Sequence, residues 1–336
     1  MKTIPTLPPA IDATGQITHR PGNHCGSTAI RDLLEFHGIL MSEAMCFGLG
    51  GGLGVTYFKV SHEKLPYIVH VRSMGYEQRV FDNLDIPFSW ITFHNKAEAT
   101  DDLREHLLSG IPALLLTNIR YLPYFETDTD FPGHAIVAWK MDEKAQTIFV
   151  TDTEREALIA VPEDAITLAR FSTLPPFVHH GSIFSPAELS LNRALPEAMA
   201  IAIRENAQRL ISHPEDGLAS LEKWKSDIGA WCVHENWQWI FRFAYQVIEK
   251  RGTGGGGFRK MYAEFLKEAA VYLPQVNEYQ LVYGMQHAAE AWTQYALAFK
   301  QQSENQAPDI DELTRSLDEV IQAEKAYLTA AEEAFL

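Results

Sequence analysis

Residues 21–38 read PGNHCGSTAIRDLLEFHG, and this stretch decides how the first half of the chain is expected to fold. The Gly and Asn before the cysteine disfavour regular structure, whereas apolar residues recur at helical spacing after it. The pattern predicts a helix that starts at or just after Cys25 and ends at Gly38, since glycine is common at helix C-termini.

Cys25 is therefore expected at the N-terminus of a helix. The helix dipole lowers the pKa of a thiol there and favours the thiolate, which is the nucleophilic form. The unpaired amides of the first turn can also act as an oxyanion hole. The alternative is a small buried side chain, which is the usual state of a free cysteine.

The chain contains three cysteines, Cys25, Cys46 and Cys232. A low, odd number is typical of a protein from a reducing compartment and makes a nucleophilic role for one of them worth considering. Cys232 and His234 lie two residues apart in a predicted helix and point to different faces, so we expect no metal site.

Apolar runs at residues 67–71, 111–116, 135–139 and 147–150 predict strands, and a helix is predicted at 98–109. The last three strands follow one another without an intervening helix. This order favours an antiparallel meander, and therefore an α+β domain rather than a doubly wound parallel sheet.

His134 stands at the start of the 135–139 strand, and Asp152 stands at the end of the next strand. If these strands pair through the turn around 142–144, both side chains lie near the same rim of the sheet. A carboxylate can then orient one ring nitrogen while the other faces a thiol. Together with Cys25 the two residues predict a catalytic triad, although each alone also fits a structural role.

The apolar spacing beyond residue 185 is helical almost throughout. Helices are predicted at residues 186–211, 216–250, 257–273, 276–301 and 309–335. Glu324 interrupts the apolar face of the last helix. A proline-containing stretch, 174–186, separates the two halves, so we predict an N-terminal domain over 1–175 and a helical domain over 185–336.

Composition excludes several classes of function. The 336 residues carry a formal net charge of −16, which disfavours binding to nucleic acids and to anionic membranes. The chain contains no apolar run long enough for a membrane span, and the prolines in its first nine residues do not fit a signal peptide. We therefore expect a cytoplasmic protein.

Three motifs follow one another in the first half: a His-Cys pair at 24–25, Ser-Glu-Ala-Met at 42–45 and FGLGGGLG at 47–54. This order resembles the BtrH N-terminal domain family, named after a butirosin biosynthesis acyltransferase, over roughly residues 15–160. The second half resembles the helical domain of unknown function that commonly follows it, around RGTGGGGFR at 251–259.

The resemblance implies a papain-like cysteine fold, similar to the leader-cleaving domains of bacteriocin exporters. It also implies a biosynthetic acyltransferase that moves an acyl or aminoacyl group from an acyl carrier protein or coenzyme A thioester to a small amine, without a cofactor. Cys25 would be the nucleophile, His134 the base and then the acid, and Asp152 the orienting group.

Two departures concern the residues before the cysteine. Leader-cleaving peptidases carry Gln six residues before it, as an oxyanion donor, where this chain has His19. Asn23, His24 or the Cys25 amide are the candidate replacements. Those peptidases also carry Asp directly before the cysteine, where this chain has His24, which disfavours peptide cleavage.

Two glycine-rich segments are candidate binding elements. The first, 47–54, lacks the preceding strand and the Gly-Lys-Ser/Thr sequence of nucleotide-binding loops. Gly51 and Gly52 there are candidates for a loop that lets substrate approach the backbone, with a close-packed turn as the alternative. Arg251 and Arg259 flank the second segment and suit a carboxylate or phosphate, with a solvated loop as the alternative.

Two other functions remain open at this point. A thioesterase, amidase or peptidase would use the same three residues, because the chemistry of the nucleophile is shared. A binding protein with a vestigial triad is the non-catalytic alternative. The long amphipathic helices permit a homodimer.

Overall fold

The computed structural model describes residues 19–60, 65–173 and 178–336. Its strands are β1 Leu53–Lys59, β2 Tyr67–Arg72, β3 Ala113–Thr117, β4 His134–Asp142, β5 Thr147–Thr151, β6 Ile159–Pro162 and β7 Ile183–Phe184. Its α-helices are α1 Cys25–Phe36, α2 Glu43–Leu49, α3 Tyr76–Asn83, α4 Lys96–Leu108, α5 Glu163–Arg170, α6 Leu195–Ser212, α7 Leu218–Asp227, α8 Trp237–Glu249, α9 Arg259–Ala269, α10 Pro274–Glu278, α11 Leu281–Gln302 and α12 Ile310–Ala334.

The chain forms two compact units. The first unit comprises Met1–Cys46 and Asp85–Asn192, and the second comprises Phe47–Leu84 and Arg193–Leu336. The division is not linear along the chain, because the segment that contains β1, β2 and α3 belongs with the C-terminal helices. Residues 174–176 of the predicted boundary and the proline-containing first nine residues lie outside the described residues.

The first unit is built on a five-stranded antiparallel sheet with the order β6-β5-β4-β3-β7. Helices α1, α4 and α5 pack against its strands. The core between them is aliphatic and is formed by Leu103, Leu115, Ile136, Val150 and Ile166. This confirms the predicted α+β class and the antiparallel meander, because β3, β4 and β5 pair in the expected order.

Helix α1 begins at Cys25, as the sequence predicts. His24 precedes it in an extended conformation, and its ring accepts the N–H of Ser27, which satisfies one of the unpaired amides of the first turn. Ile30, Leu33 and Leu34 are fully buried. The burial of this apolar side fixes the helix against β3 and β4, so the position of Cys25 follows from the hydrophobic pattern.

The second unit combines the β1–β2 antiparallel hairpin with mainly helical structure. Helices α7 and α8 pack against the hairpin, and α11 packs against α8, α9 and α12. The core is aromatic, and its largest members include Trp224, Trp231, Trp292, Tyr295 and Phe299. The prediction of a mainly helical C-terminal region is confirmed.

Three predicted helices differ in extent. The helix predicted from residue 186 begins only at Leu195, where a proline occupies the first turn. The helix predicted over 216–250 is two helices joined by a 3-10 segment, Ile228–Val233. The helix predicted from residue 276 is divided by Gln280, whose φ of 52° is left-handed. Apolar periodicity continues through each break, so it does not reveal them.

The helices that the structure describes include none that is both long enough and apolar enough to span a membrane.

Candidate active site

Cys25, His134 and Asp152 come together in the first unit. His134 opens β4, and Asp152 directly follows β5, which pairs with β4. The Nε2 atom of His134 lies 2.8 Å from both carboxylate oxygens of Asp152. The side chain of Cys25 is hydrogen-bonded to the His134 ring, and its Sγ lies 4.0 Å from the carbonyl oxygen of Gly133. Since Nε2 is engaged by the carboxylate, Nδ1 is the nitrogen that remains for the thiol.

The charges in this group support one another. Burial disfavours the imidazolium, but the Asp152 carboxylate and the Cys25 side chain outweigh it and raise the pKa of His134 to about 10. Burial would raise the pKa of Asp152, but its interactions with His134 and the hydrogen bonds from Tyr124 and the Thr153 amide hold it below its usual value. His134 and Asp152 therefore form an ion pair at neutral pH.

This ion pair predicts an unusual titration. We expect the His134 ring to stay protonated up to about pH 10. Asp152→Asn should lower the pKa of His134 well below 10, because burial is then opposed only by the Cys25 side chain. The stabilisation that the pair contributes is complete between about pH 3.8, the ordinary value for an aspartate, and about pH 6.5, the ordinary value for an unfolded histidine. It is lost as the pH rises towards 10, because the pKa of His134 is raised, and as the pH falls below 3.8, because the pKa of Asp152 is lowered.

Histidine ring resonances followed by NMR against pH would measure this directly. His37 is an internal control, because burial lowers its pKa and it has no part in the His134–Asp152 pair. The pKa of His37 should lie below that of an ordinary histidine and should be the same in the Asp152→Asn variant. A His134 ring that titrates near pH 6.5 in the unsubstituted protein would contradict the ion pair.

Tyr124 is a member of the site that the sequence analysis missed. Its hydroxyl donates a hydrogen bond of 2.6 Å to Oδ2 of Asp152. Burial and the neighbouring carboxylate raise the pKa of Tyr124, so the hydroxyl keeps its proton and remains a donor. Arg155 covers the ring at 5.7 Å and donates to the Tyr124 carbonyl. No local motif marks Tyr124, since it reaches Asp152 from a 3-10 turn 28 residues earlier.

His19 has a structural position rather than that of an oxyanion donor. Its Nδ1 lies 2.6 Å from a carboxylate oxygen of Asp32, and its Nε2 lies 3.1 Å from the carbonyl oxygen of Asp152. Asp32 also accepts from Arg31 and from the hydroxyl of Thr151. Both ring nitrogens of His19 are engaged in joining α1 to the strand end that carries Asp152.

Asn23 and His24 differ in what they can offer a ligand. The backbone N–H groups of both residues donate to the carboxylate of Glu43, at 2.8 Å each. The His24 ring is buried and caps α1. The side chain of Asn23 is exposed, two residues before Cys25. Of the two side chains, Asn23 is the one whose amide can turn towards a ligand at the thiol.

Gly51 and Gly52 lie in the second unit. A Cβ atom at Gly52 would lie 2.5 Å from the ring of Phe47, so this glycine is required by close packing. The carbonyl of Gly51 accepts from Asn206 and Arg209 at 3.2 Å each, and Gly51 borders a cavity of about 210 Å³. Gly52 therefore fits the alternative of a close-packed turn. A ligand role for Gly51 stays a prediction.

Arg259 is fully buried in the second unit. Its Nε donates to Glu324 at 2.6 Å, and its Nη1 donates to the carbonyls of Val71 at 3.0 Å and Gly257 at 2.6 Å. Its guanidinium lies 4.7 Å from the ring of Trp292. The predicted anion-binding role is therefore corrected to an internal one, because these donors already serve protein acceptors.

Arg251 is exposed, unlike Arg259. Its guanidinium donates to Oε1 of Gln246 and lies 4.7 Å from the ring of Phe243. This placement agrees with the solvated-loop alternative, and an anion-binding role for Arg251 stays a prediction. The residues that the structure describes contain no group of three or more His, Cys, Asp or Glu side chains arranged to hold a metal ion.

Two protein families match the chain. Residues 24–153 match the family described as Butirosin biosynthesis protein H, N-terminal, and residues 164–331, half of the chain, match the Domain of unknown function (DUF4872). No curated protein matches it. The first match connects the site-bearing part of the chain with a biosynthetic, acyltransferase-like protein. The resemblance seen in the sequence is confirmed, and the chain belongs to the family in which a BtrH-type N-terminal domain is followed by the DUF4872 domain.

Proposed function

We propose that the protein is a cysteine-dependent acyltransferase that forms an amide through an acyl-enzyme on Cys25. The observation that carries this proposal is the His134 ring, which lies between the carboxylate of Asp152 and the thiol of Cys25 at the N-terminus of α1. This is the arrangement of a thiol nucleophile, its base and the group that orients the base. The match to a butirosin biosynthesis protein supports acyl transfer.

In the first step the Cys25 sulfur attacks the carbonyl carbon of a thioester. In the reactive form that we propose, the one proton of the Cys25–His134 pair lies on His134, whose imidazolium form is stabilised by Asp152. The bond between the acyl carbon and the donor thiol breaks, and the departing thiolate takes the proton from His134. The products are an acylated Cys25, a neutral His134 and a free donor thiol.

In the second step an amine attacks the acyl carbon on Cys25. His134 accepts a proton from the amine as the new C–N bond forms and the C–S bond breaks. The amide leaves, and Cys25 and His134 return to the thiolate and imidazolium pair. Asp152 holds the ring throughout and stabilises its charged form.

The donor that we propose is an acyl carrier protein or coenzyme A thioester, and the acceptor is a small amine. A net charge of −16 favours the approach of a cationic amine. For the oxyanion we propose the Cys25 amide, assisted by the exposed side chain of Asn23. Cys25 is the first residue of α1 and Asn23 lies two residues before it. Backbone amides and the helix dipole favour negative charge at this end of the helix.

Intact-mass spectrometry would test the proposal. The protein is mixed with acyl-coenzyme A or with acyl N-acetylcysteamine thioesters, and we expect one acyl increment on the peptide that contains Cys25. Cys232→Ala is the matched control, because Cys232 is a free, half-buried cysteine whose pKa is raised by burial, and it should acylate normally. An increment that is absent, or that lies on another residue, would contradict the proposal.

A second measurement separates transfer from hydrolysis. Small amines are added to the acylated protein, and the amounts of amide product and of free acid are measured. A transferase should form amide at the expense of free acid. Free acid produced at the same rate with and without amine would instead identify a hydrolase that uses the same three residues.

A further inference from the structure

Glu43 holds the chain immediately before Cys25. It is the first residue of α2, and its Oε1 accepts the backbone N–H groups of Asn23 and His24, each at 2.8 Å. The same oxygen accepts the hydroxyls of Ser27 at 3.3 Å and Thr28 at 3.2 Å. One carboxylate therefore joins the two residues that precede Cys25 to the first turn of the helix that Cys25 opens.

These contacts replace bonds that the helix itself cannot provide. The N–H groups just before a helix have no partner within it, and a hydrogen bond to a carboxylate is roughly twice as strong as a neutral one. Gly22 makes room for the carboxylate, because a Cβ atom there would lie 2.9 Å from Cδ of Glu43 and 2.0 Å from Oγ1 of Thr28. Gly22 and Glu43 therefore act together.

The arrangement has two consequences at the thiol. With the amides of Asn23 and His24 fixed, the direction of the next amide, that of Cys25, is also fixed. Donors held in place before the reaction are what makes an oxyanion hole effective. The carboxylate also places a negative charge at the end of α1 that carries the sulfur, and this charge opposes formation of the thiolate.

We propose that Glu43 is a positioning residue that sets the backbone before Cys25 and thereby the rate at which Cys25 accepts an acyl group. The proposal rests on the acyl-enzyme of the proposed function, but alkylation of Cys25 gives a readout that does not depend on acyl transfer. Loss of the acceptor in Glu43→Ala is expected to slow acylation, whereas loss of the charge alone in Glu43→Gln is expected to speed alkylation.

Glu43→Ala and Glu43→Gln separate position from charge. Alanine removes the acceptor, so we expect the single-turnover rate constant of acylation to fall about 100-fold with little change in the donor concentration that gives half the maximal rate. Glutamine keeps an acceptor oxygen in the same place, so acylation should stay within about fivefold of the unsubstituted rate.

The reaction of Cys25 with iodoacetamide, followed against pH, tests the charge. Removal of the charge in Glu43→Gln should favour the thiolate, so the curve of alkylation rate against pH should move to lower pH. At pH values below the midpoint of that curve, alkylation should be about two- to fivefold faster than in the unsubstituted protein. A residue that only supports the fold would not shift this profile.

Glu163→Ala is the matched control. Glu163 is also the first residue of a helix in the first unit, but its carboxylate binds Arg104, at 2.8 Å. Its loss should leave both readouts unchanged. The proposal is overturned if Glu43→Ala acylates at the unsubstituted rate, or if Glu43→Ala and Glu163→Ala lose acylation alike. If no thioester acylates the unsubstituted protein, the proposed function fails, and the role of Glu43 is decided by the pH dependence of alkylation in Glu43→Gln alone. A pH dependence that does not shift overturns that role, and one that shifts supports it.

Discussion

Cys25→Ala is expected to lower the rate of acyl transfer by at least about 10⁴-fold while the protein stays folded. In the proposed mechanism the sulfur is the atom of the site that forms a bond to the acyl group, and removal of a triad nucleophile typically leaves only the contribution of binding and the oxyanion hole. Cys25 is half-buried at the start of α1, so the loss of its sulfur creates no core cavity. The free energy of unfolding should change by less than about 1 kcal/mol.

The measurement is amide formation from a thioester and an amine, with unfolding by urea measured in parallel. Cys232→Ala should retain the unsubstituted rate and thereby exclude a general effect of cysteine removal. Transfer by Cys25→Ala at a rate close to that of the unsubstituted protein would remove the nucleophile from the mechanism. A binding protein with a vestigial site would form no amide in either case.

Arg259→Ala is expected to destabilise the second unit by about 3–5 kcal/mol. Arg259 and Glu324 are both almost completely buried, and their side chains are 2.6 Å apart. Without the guanidinium, Glu324 keeps the hydrogen bond from Trp292, but its buried charge has lost its ionic partner. The carbonyls of Val71 and Gly257 would also lose a donor.

Tryptophan fluorescence during urea unfolding would report on this change, because five of the seven tryptophans lie in the second unit. Arg251→Ala is the control, since it removes an exposed arginine from the same glycine-rich segment and should cost no more than about 1 kcal/mol. The pair of substitutions Arg259→Met and Glu324→Gln should recover part of the loss, because no unpaired charge remains and the glutamine keeps an acceptor for Trp292. An effect of Arg259→Ala no larger than that of Arg251→Ala would disprove the buried ion pair.

The elements that the sequence predicts well are those whose signal is local. The helix from Cys25, the three central strands β3, β4 and β5 and their antiparallel order follow from apolar spacing and from the glycines and turns between the elements. The short edge strands β6 and β7 are not predicted from the sequence. The sequence predicts that His134 and Asp152 meet, because one turn joins their strands. The order and framing of the three residues also predict that both meet Cys25, and in the fold the packing of α1 against β4 brings them together.

The features that the sequence does not predict depend on partners far apart in the chain. Glu324 reads as an interruption in the apolar face of α12, and only Arg259, 65 residues earlier, explains it. Glu43 reads as part of a family motif, but its contacts with the residues before Cys25 are 15 to 20 residues distant. A charged residue in a sequence carries no information about which opposite charge or amide it will meet, so these pairs require the fold.

The discontinuous composition of the second unit has a consequence for the order of folding during synthesis. The ribosome releases β1 and β2 early, but helices α7 and α8, which cover them, follow only after residue 217. An isolated two-stranded hairpin is marginally stable in water. This segment therefore remains without its covering helices while well over a hundred further residues are synthesised. All residues of the first unit have been translated once residue 192 is reached. A nascent chain arrested there would contain every strand of the five-stranded sheet. It would also contain the apolar β1–β2 hairpin of the second unit without the helices that cover it, which is the kind of surface that chaperones bind.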